Sequence, residues 1–217
     1  MHPSDPQRDC LDILARHNAV LTGDHFVYTA GHHGDTYVAK DAIIPHTTDL
    51  AELCSFIAAY WCNAKIDVVI APATAGIALS QWVTHHLRML GAGSPLALYA
   101  DKMPDGSFAL RRNYDQLARG KRALVVEDII NTGKSIRGTI RAAWDCQANV
   151  IGASALANRG EVSAEDLNIP MLHSLVNPKL KKYPAVACPL CIAGVPINTQ
   201  LGHGAAYVAA HGQPVCR

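Results

Sequence analysis

Glu127 and Asp128 stand side by side at the end of the apolar run Ala123-Leu124-Val125-Val126. Beyond Ile129 and Ile130 comes the small polar stretch Asn131-Thr132-Gly133-Lys134-Ser135. Paired carboxylates accept hydrogen bonds from hydroxyl groups, and a small polar turn can bring backbone N–H groups close to an anion. After the turn the apolar spacing becomes helical, with Ile136, Ile140 and Trp144 at four-residue intervals. A helix start carries N–H groups without intrahelical partners and the positive end of the helix dipole, which together attract phosphate. Gly133 lets the backbone approach a ligand, and Thr132 and Ser135 add hydroxyl donors. The order of strand, acidic pair, polar turn and helix suits a molecule with a phosphate at one end and a sugar diol beside it.

A second loop has the same form. Ile66-Asp67-Val68-Val69-Ile70-Ala71 predicts a buried strand, Pro72-Ala73-Thr74-Ala75-Gly76 a small-residue loop, and Ile77 to about Leu90 a helix. Small residues there serve either an anion or tight strand–helix packing. Around these two units the chain alternates strand and helix. A helix from Ser4-Asp5-Pro6 to about Arg16 buries Cys10, Leu11 and Leu14, and residues 25–41 form a hairpin around a Gly-rich turn. A helix capped by Thr48-Asp49 runs to about Cys62, and strands follow at 95–99, 150–156 and 169–175. Such alternation predicts an α/β fold with a parallel twisted sheet flanked by helices, whose ligands sit at the carboxyl ends of the strands. The 217 residues are read as a single domain, with a small N-terminal hood at about 20–45 and a Cys-containing tail at about 183–217.

Composition narrows the class. With 49% apolar and 17% charged residues the chain folds, and a net charge of +1 gives no basic face for nucleic acid. No apolar run reaches the roughly 18 residues of a membrane span, and the N-terminus lacks signal-peptide character, so a cytoplasmic protein is expected. The seven cysteines, at 10, 54, 62, 146, 188, 191 and 216, are read as mainly reduced, buried thiols. Cys188 and Cys191 have the spacing of metal ligands. A structural Zn²⁺ completed by His203 or distant cysteines, plain thiols and a redox pair are the readings of this pair. His32 and His33 are read as exposed turn residues.

The string V-V-E-D-I-I-N-T-G-K-S at 125–135 resembles the phosphoribosyl pyrophosphate (PRPP) motif of type I phosphoribosyltransferases. The resemblance covers about residues 20 to 176 and is greatest to the orotate phosphoribosyltransferases. It implies that Asn131, Thr132, Gly133, Lys134 and Ser135 hold the 5′-phosphate, with Ile129 and Ile130 in the same PRPP-binding stretch. Glu127 and Asp128 would hold the ribose hydroxyls. Ala73, Thr74, Ala75 and Gly76, with Mg²⁺, would receive the pyrophosphate. Arg159, after the strand at 150–156, matches an arginine that pairs with the orotate carboxylate, and Tyr37, Lys40 and Asn131 complete the base-binding set. The polar segment from Ala100 to Arg119 occupies the position of a mobile catalytic loop, for which Lys102, Arg111 and Arg112 are the cations; a solvated hairpin is the alternative. The pattern departs in two places: Thr29 replaces a lysine of the hood, and the loop lacks the usual Arg-Lys start and its histidine. The implied activity is orotate phosphoribosyl transfer by a homodimer. A purine or other base, or a non-catalytic PRPP-sensing regulator, are the alternatives.

Overall fold

The structure is a computed structural model, and it describes residues 6–28, 31–39, 42–178 and 180–215. The chain forms two compact units, Met1–Ile13 with Ile43–Pro178, and Leu14–Ala42 with Lys179–Arg217. The hood and the tail, expected on separate grounds, thus belong to one unit. Helix α1 (Pro6–Arg16) opens the chain. It buries Cys10, Ile13 and Leu14, the i, i+3, i+4 stripe of a helix, and leaves Leu11 exposed, contrary to the expected face.

The first unit contains α2 (Thr47–Trp61), β3 (Val68–Pro72), α3 (Gly76–Met89), β4 (Leu96–Lys102), β5 (Phe108–Ala109), α4 (Tyr114–Ala118), β6 (Arg122–Ile130), α5 (Lys134–Asp145), β7 (Asn149–Asn158) and β8 (Leu172–Val176). Its sheet runs in the order β5-β4-β3-β6-β7-β8, parallel except for the β4–β5 pair. The run Val68 to Ala71 is buried on both faces, as in a parallel sheet covered by helices. Val68, Ile70, Ala123, Val125 and Ala153 share one core with Ile136, Ile140 and Ala143 of α5. Helices α2 and α3 pack together, and α3 lies against β3, β4 and β6. Close approaches rest on glycine: a Cβ on Gly152 would lie 2.3 Å from the Trp61 ring, and one on Gly138 would lie 2.4 Å from the Phe108 ring.

Two expectations are corrected. Helix α2 begins at Thr47, with His46 at the N-cap position and no side-chain cap, so Thr48 and Asp49 lie inside its first turn. The strand at 123–126 extends to Ile130, because pairing with β7 continues through Glu127, Ile129 and Ile130. The acidic pair therefore lies within β6 and not after it.

The second unit contains the antiparallel hairpin β1 (Val20–Val27) and β2 (His33–Val38), a 3₁₀ turn at Ala185–Ala187, α6 (Pro189–Ile192) and α7 (Gly204–His211). Tyr183 forms an antiparallel bridge with His33, joining the tail to the hairpin edge.

Candidate active site

The sheet order places a topological switch at β3 and β6. Chain order runs outward from β3 to β4 on one side and from β6 to β7 and β8 on the other. Loops at such a point diverge above the strand ends and leave a crevice there. The loop 73–76 leaves β3, and the turn 131–133 leaves β6.

At the end of β6, Glu127 is 6% exposed and Asp128 is 3% exposed. Asp128 Oδ1 accepts a hydrogen bond from the N–H of Ile129 at 2.6 Å. Asp128 Oδ2 is buried with no hydrogen-bond partner among the described residues. A buried carboxylate oxygen without a partner is costly unless a ligand meets it. Five residues after Asp128, Gly133 takes the left-handed conformation at φ 74° and starts α5 without a side-chain cap. The first N–H groups of α5 thus meet no capping side chain, the condition for an anion site. Asn131, Thr132, Lys134 and Ser135 are exposed around this turn, and Lys134 and Ser135 already belong to the helix.

The turn after β7 braces this loop. The N–H groups of Arg159 and Gly160 donate to the Ile130 carbonyl at 2.9 and 3.2 Å. A Cβ on Gly160 would fall 1.5 Å from the Asn131 carbonyl oxygen, so only glycine fits. The Asn158 amide donates to the Val162 carbonyl and accepts from its N–H, closing the turn. Arg159 Nε is buried and has no partner among the described residues. Across the switch, the N–H of Ala73 donates to the Ala100 carbonyl at 2.9 Å, tying the loop after β3 to β4. The Ala73–Thr74 peptide is cis. A Cβ on Gly76 would meet that of Ala71 at 2.9 Å, so α3 starts hard against its own strand.

The polar segment after β4, expected as a mobile catalytic loop or a solvated hairpin, has the form of a hairpin followed by the short helix α4. Lys102 pairs with Phe108, and the Met103 N–H donates to the Ser107 carbonyl. Asp105 accepts from the Ser107 hydroxyl and N–H, which together hold its carboxyl below the usual range. An Asp-Gly pair is a turn signal, and Phe108 anchors the returning strand on α5. Lys102 and Arg111 are exposed. Arg112, at φ 57°, is bonded to the Asp101 carboxylate with its guanidinium 5.3 Å from the Tyr99 ring centre. Asp101 pushes the Arg112 pKa further up.

In the second unit, Tyr37 lies half-buried on β2 with its ring 5.3 Å from that of Phe26. Thr29, Lys40 and Cys216 lie outside the described residues. His33, expected in an exposed turn, is fully buried; it opens β2, and only its neighbour His32 is exposed. His33 gathers with His25, Cys188 and Cys191, and His203 is not in this group. The sequence suggested an exposed turn position for His33 and no role for His25, and both are buried. The available signal was the hairpin itself: with Val27 opposite His33, residues 25 and 33 are diagonal neighbours on one face. Burial, then the charges of His25 and His32, lower the His33 pKa; burial and Cys188 push the Cys191 thiol up to about 11.

Comparison with known proteins shows the family. The family model of the phosphoribosyl transferase domain matches residues 41–172. The orotate phosphoribosyltransferase of Chlorobium phaeobacteroides is 32% identical over 194 residues, covering 88% of this chain and 94% of the relative. That of Thermus thermophilus is 33% identical over 190 residues, covering 88% and 98%. Among solved structures, Mycobacterium tuberculosis orotate phosphoribosyltransferase in complex with PRPP shares the fold with a TM-score of 0.60. Its identity is 18%, over 80% of this chain and 96% of that one. With the PRPP-like string on β6 and a family match over most of the first unit, the chain belongs to the type I phosphoribosyltransferases and is most like the orotate phosphoribosyltransferases among them.

Proposed function

We propose that this protein transfers a 5-phosphoribosyl group from PRPP to N1 of orotate, releasing pyrophosphate and forming orotidine 5′-phosphate. The observation that supports this reading is the buried Asp128 Oδ2, which has no hydrogen-bond partner among the described residues, shortly before the uncapped start of α5. One offers an acceptor for a sugar hydroxyl and the other a seat for a phosphate, and they are joined by a single short turn. The relatives named above, at 32 and 33% identity over nearly their whole length, supply the base.

In this reading the α5 N-terminus, with Thr132 and Ser135, holds the 5′-phosphate. Glu127 and Asp128 hold the ribose hydroxyls and face the positive charge that develops at C1. The loop 73–76 receives the pyrophosphate, and Lys102 and Arg111 stand as cations beside the β4 end. Arg159, whose planar fork suits a carboxylate, orients the orotate. The C1–oxygen bond to pyrophosphate breaks as the N1–C1 bond forms. Orotate enters as its N1 anion, so no strong base is required, and orientation with charge neutralisation supplies most of the rate. Mg²⁺ is implied by the family resemblance. The donor set fits it: Glu127 and Asp128 are hard oxygen donors of the kind it takes, directly or through bound hydroxyls, and Asp128 Oδ2 has no partner among the described residues. Bound with PRPP, it would supply positive charge to the leaving pyrophosphate.

The test is loss of orotate ultraviolet absorbance with PRPP and Mg²⁺. Turnover that requires both is expected. PRPP binding without turnover on orotate, adenine, guanine or xanthine would instead favour a PRPP-sensing regulator. The Arg112–Asp101 pair, which withdraws one loop cation, is the observation on that side. The reading also makes the protein a cytoplasmic homodimer, and light scattering on the purified chain tests the oligomer.

A further inference from the structure

His25 and His33 are both fully buried on adjacent strands of the β1–β2 hairpin. Polar rings in such a place need partners. His25 Nδ1 lies 2.8 Å from the Val195 carbonyl. A carbonyl can only accept, so Nδ1 carries the proton and Nε2 of the neutral ring presents a bare lone pair. That lone pair faces three groups: His33 Nδ1 at 2.9 Å, Cys188 Sγ at 3.7 Å and Cys191 Sγ at 3.7 Å. Cys191 Sγ also lies 3.3 Å from His33 Nδ1. All four atoms fall within 4.8 Å of one another.

These separations match a tetrahedron around one ion. Zinc bonds of about 2.3 Å to sulfur and 2.0–2.1 Å to nitrogen set tetrahedral S···N separations of about 3.6 Å and an N···N separation of about 3.3 Å. The three S···N separations here bracket the first value, and the histidine pair lies a few tenths of an ångström inside the second. Two sulfur and two nitrogen donors in this arrangement select zinc over hard oxygen-seeking cations. A [2Fe–2S] centre with two cysteines and two histidines spreads them over two irons, whereas all four donor atoms here close on a single point. The local fold presents the ligands. Cys188 ends the 3₁₀ turn and caps α6, and one helical turn brings Cys191 to the same side. The Val195 carbonyl then fixes the His25 tautomer, as an outer partner commonly does for a metal-bound imidazole. The unit also has need of a staple. Among the described residues its elements are one hairpin and short helices, and its described cysteines form no disulfide.

We propose that His25 Nε2, His33 Nδ1, Cys188 Sγ and Cys191 Sγ form a structural Zn²⁺ site that fastens the C-terminal tail to the N-terminal hairpin. Four protein ligands close the coordination sphere, so the ion has no open position for chemistry and serves folding. This site is independent of the transferase reading.

The experiment is metal analysis of the purified, reduced full-length protein, followed by replacement of zinc with Co²⁺. The expected result is one zinc per chain. The cobalt form should show a thiolate-to-metal charge-transfer band and the intense visible bands of a tetrahedral ion. Cys188→Ser and Cys191→Ser should each lose that spectrum, while Cys146→Ser, on a thiol of the first unit, should keep it. Chelation should lower the unfolding temperature of the parent protein. If the cysteine variants fail to fold, the parent cobalt spectrum decides by itself. Protein that takes up neither metal, cobalt bound without the charge-transfer band, or zinc retained in the double cysteine variant would each overturn the proposal.

Discussion

Asp128 divides its carboxylate between two tasks. One oxygen holds the N–H of Ile129, and the other is buried without a partner among the described residues. Asp128→Asn keeps the shape and still offers an acceptor to Ile129, but removes the charge. A charge-assisted hydrogen bond contributes about 1.5 kcal/mol or more, so kcat/KM for PRPP should fall roughly tenfold or more while the unfolding temperature barely changes. Steady-state kinetics beside a melting curve would separate the two, and unchanged kinetics would remove Asp128 from the mechanism. Arg159 offers a similar division. Its backbone N–H braces the β6 turn, and its Nε is buried without a partner among the described residues. Arg159→Ala spares the backbone bond, so KM for orotate should rise far more than KM for PRPP; equal effects would make it a structural arginine. Both residues were legible in the sequence because each adjoins a strand end beside a recognisable string. His25 and His33 were not, since their partners Cys188 and Cys191 lie more than a hundred residues away.

The turn after β6 depends on the turn after β7. Gly160 approaches the Asn131 carbonyl so closely that any Cβ would overlap backbone, which cannot swing aside as a side chain can. Gly160→Ala should therefore separate the two turns. Overpacking of this kind costs about 1–3 kcal/mol, and here the displaced element is the proposed phosphate seat. The expected outcome is a lower unfolding temperature together with a raised KM for PRPP; a variant with parental KM would uncouple the two turns. The strand-to-helix rhythm itself was legible from β3 to β8, because period-2 and period-3.6 patterns are local. Element lengths were less so. Glu127 and Asp128 look like a strand end by polarity, yet the β7 ladder carries β6 on to Ile130. The segment after β4 reads by its length and polarity as a binding loop or a solvated hairpin, and its Asp105-Gly106 turn and the contact of Phe108 with α5 give it the form of a hairpin, which no local periodicity announced.

At the scale of the whole molecule, sheet order and the partition into two units escaped the sequence. Residues 14–42 and 179–217 join through contacts that no local pattern reports, such as His25 with Val195. Among the described residues no helix is long and apolar enough to cross a membrane. The response of stability to pH is also a property of the whole chain, and it has identifiable sources. His173 on β8 is stacked on Tyr60 at 3.8 Å, and its Nδ1 lies 2.9 Å from the Ser154 hydroxyl; burial lowers its pKa from 6.5. His86 shifts the same way, through burial and then the charge of His85. In the unfolded chain both rings titrate near 6.5, and in the folded chain they titrate lower. Between those values the unfolded state binds more protons, so stability falls as pH drops. Above about 6.5 these two rings contribute no slope. The loss ends once the pH lies below the folded values, where both states are protonated. The denaturant midpoint should therefore hold steady in mildly alkaline buffer and decline as pH falls through about 6.5. His173→Gln should flatten part of that decline at equal metal content. A variant with the parental slope would show that the half-buried imidazole stacked on Tyr60 is not what acid attacks.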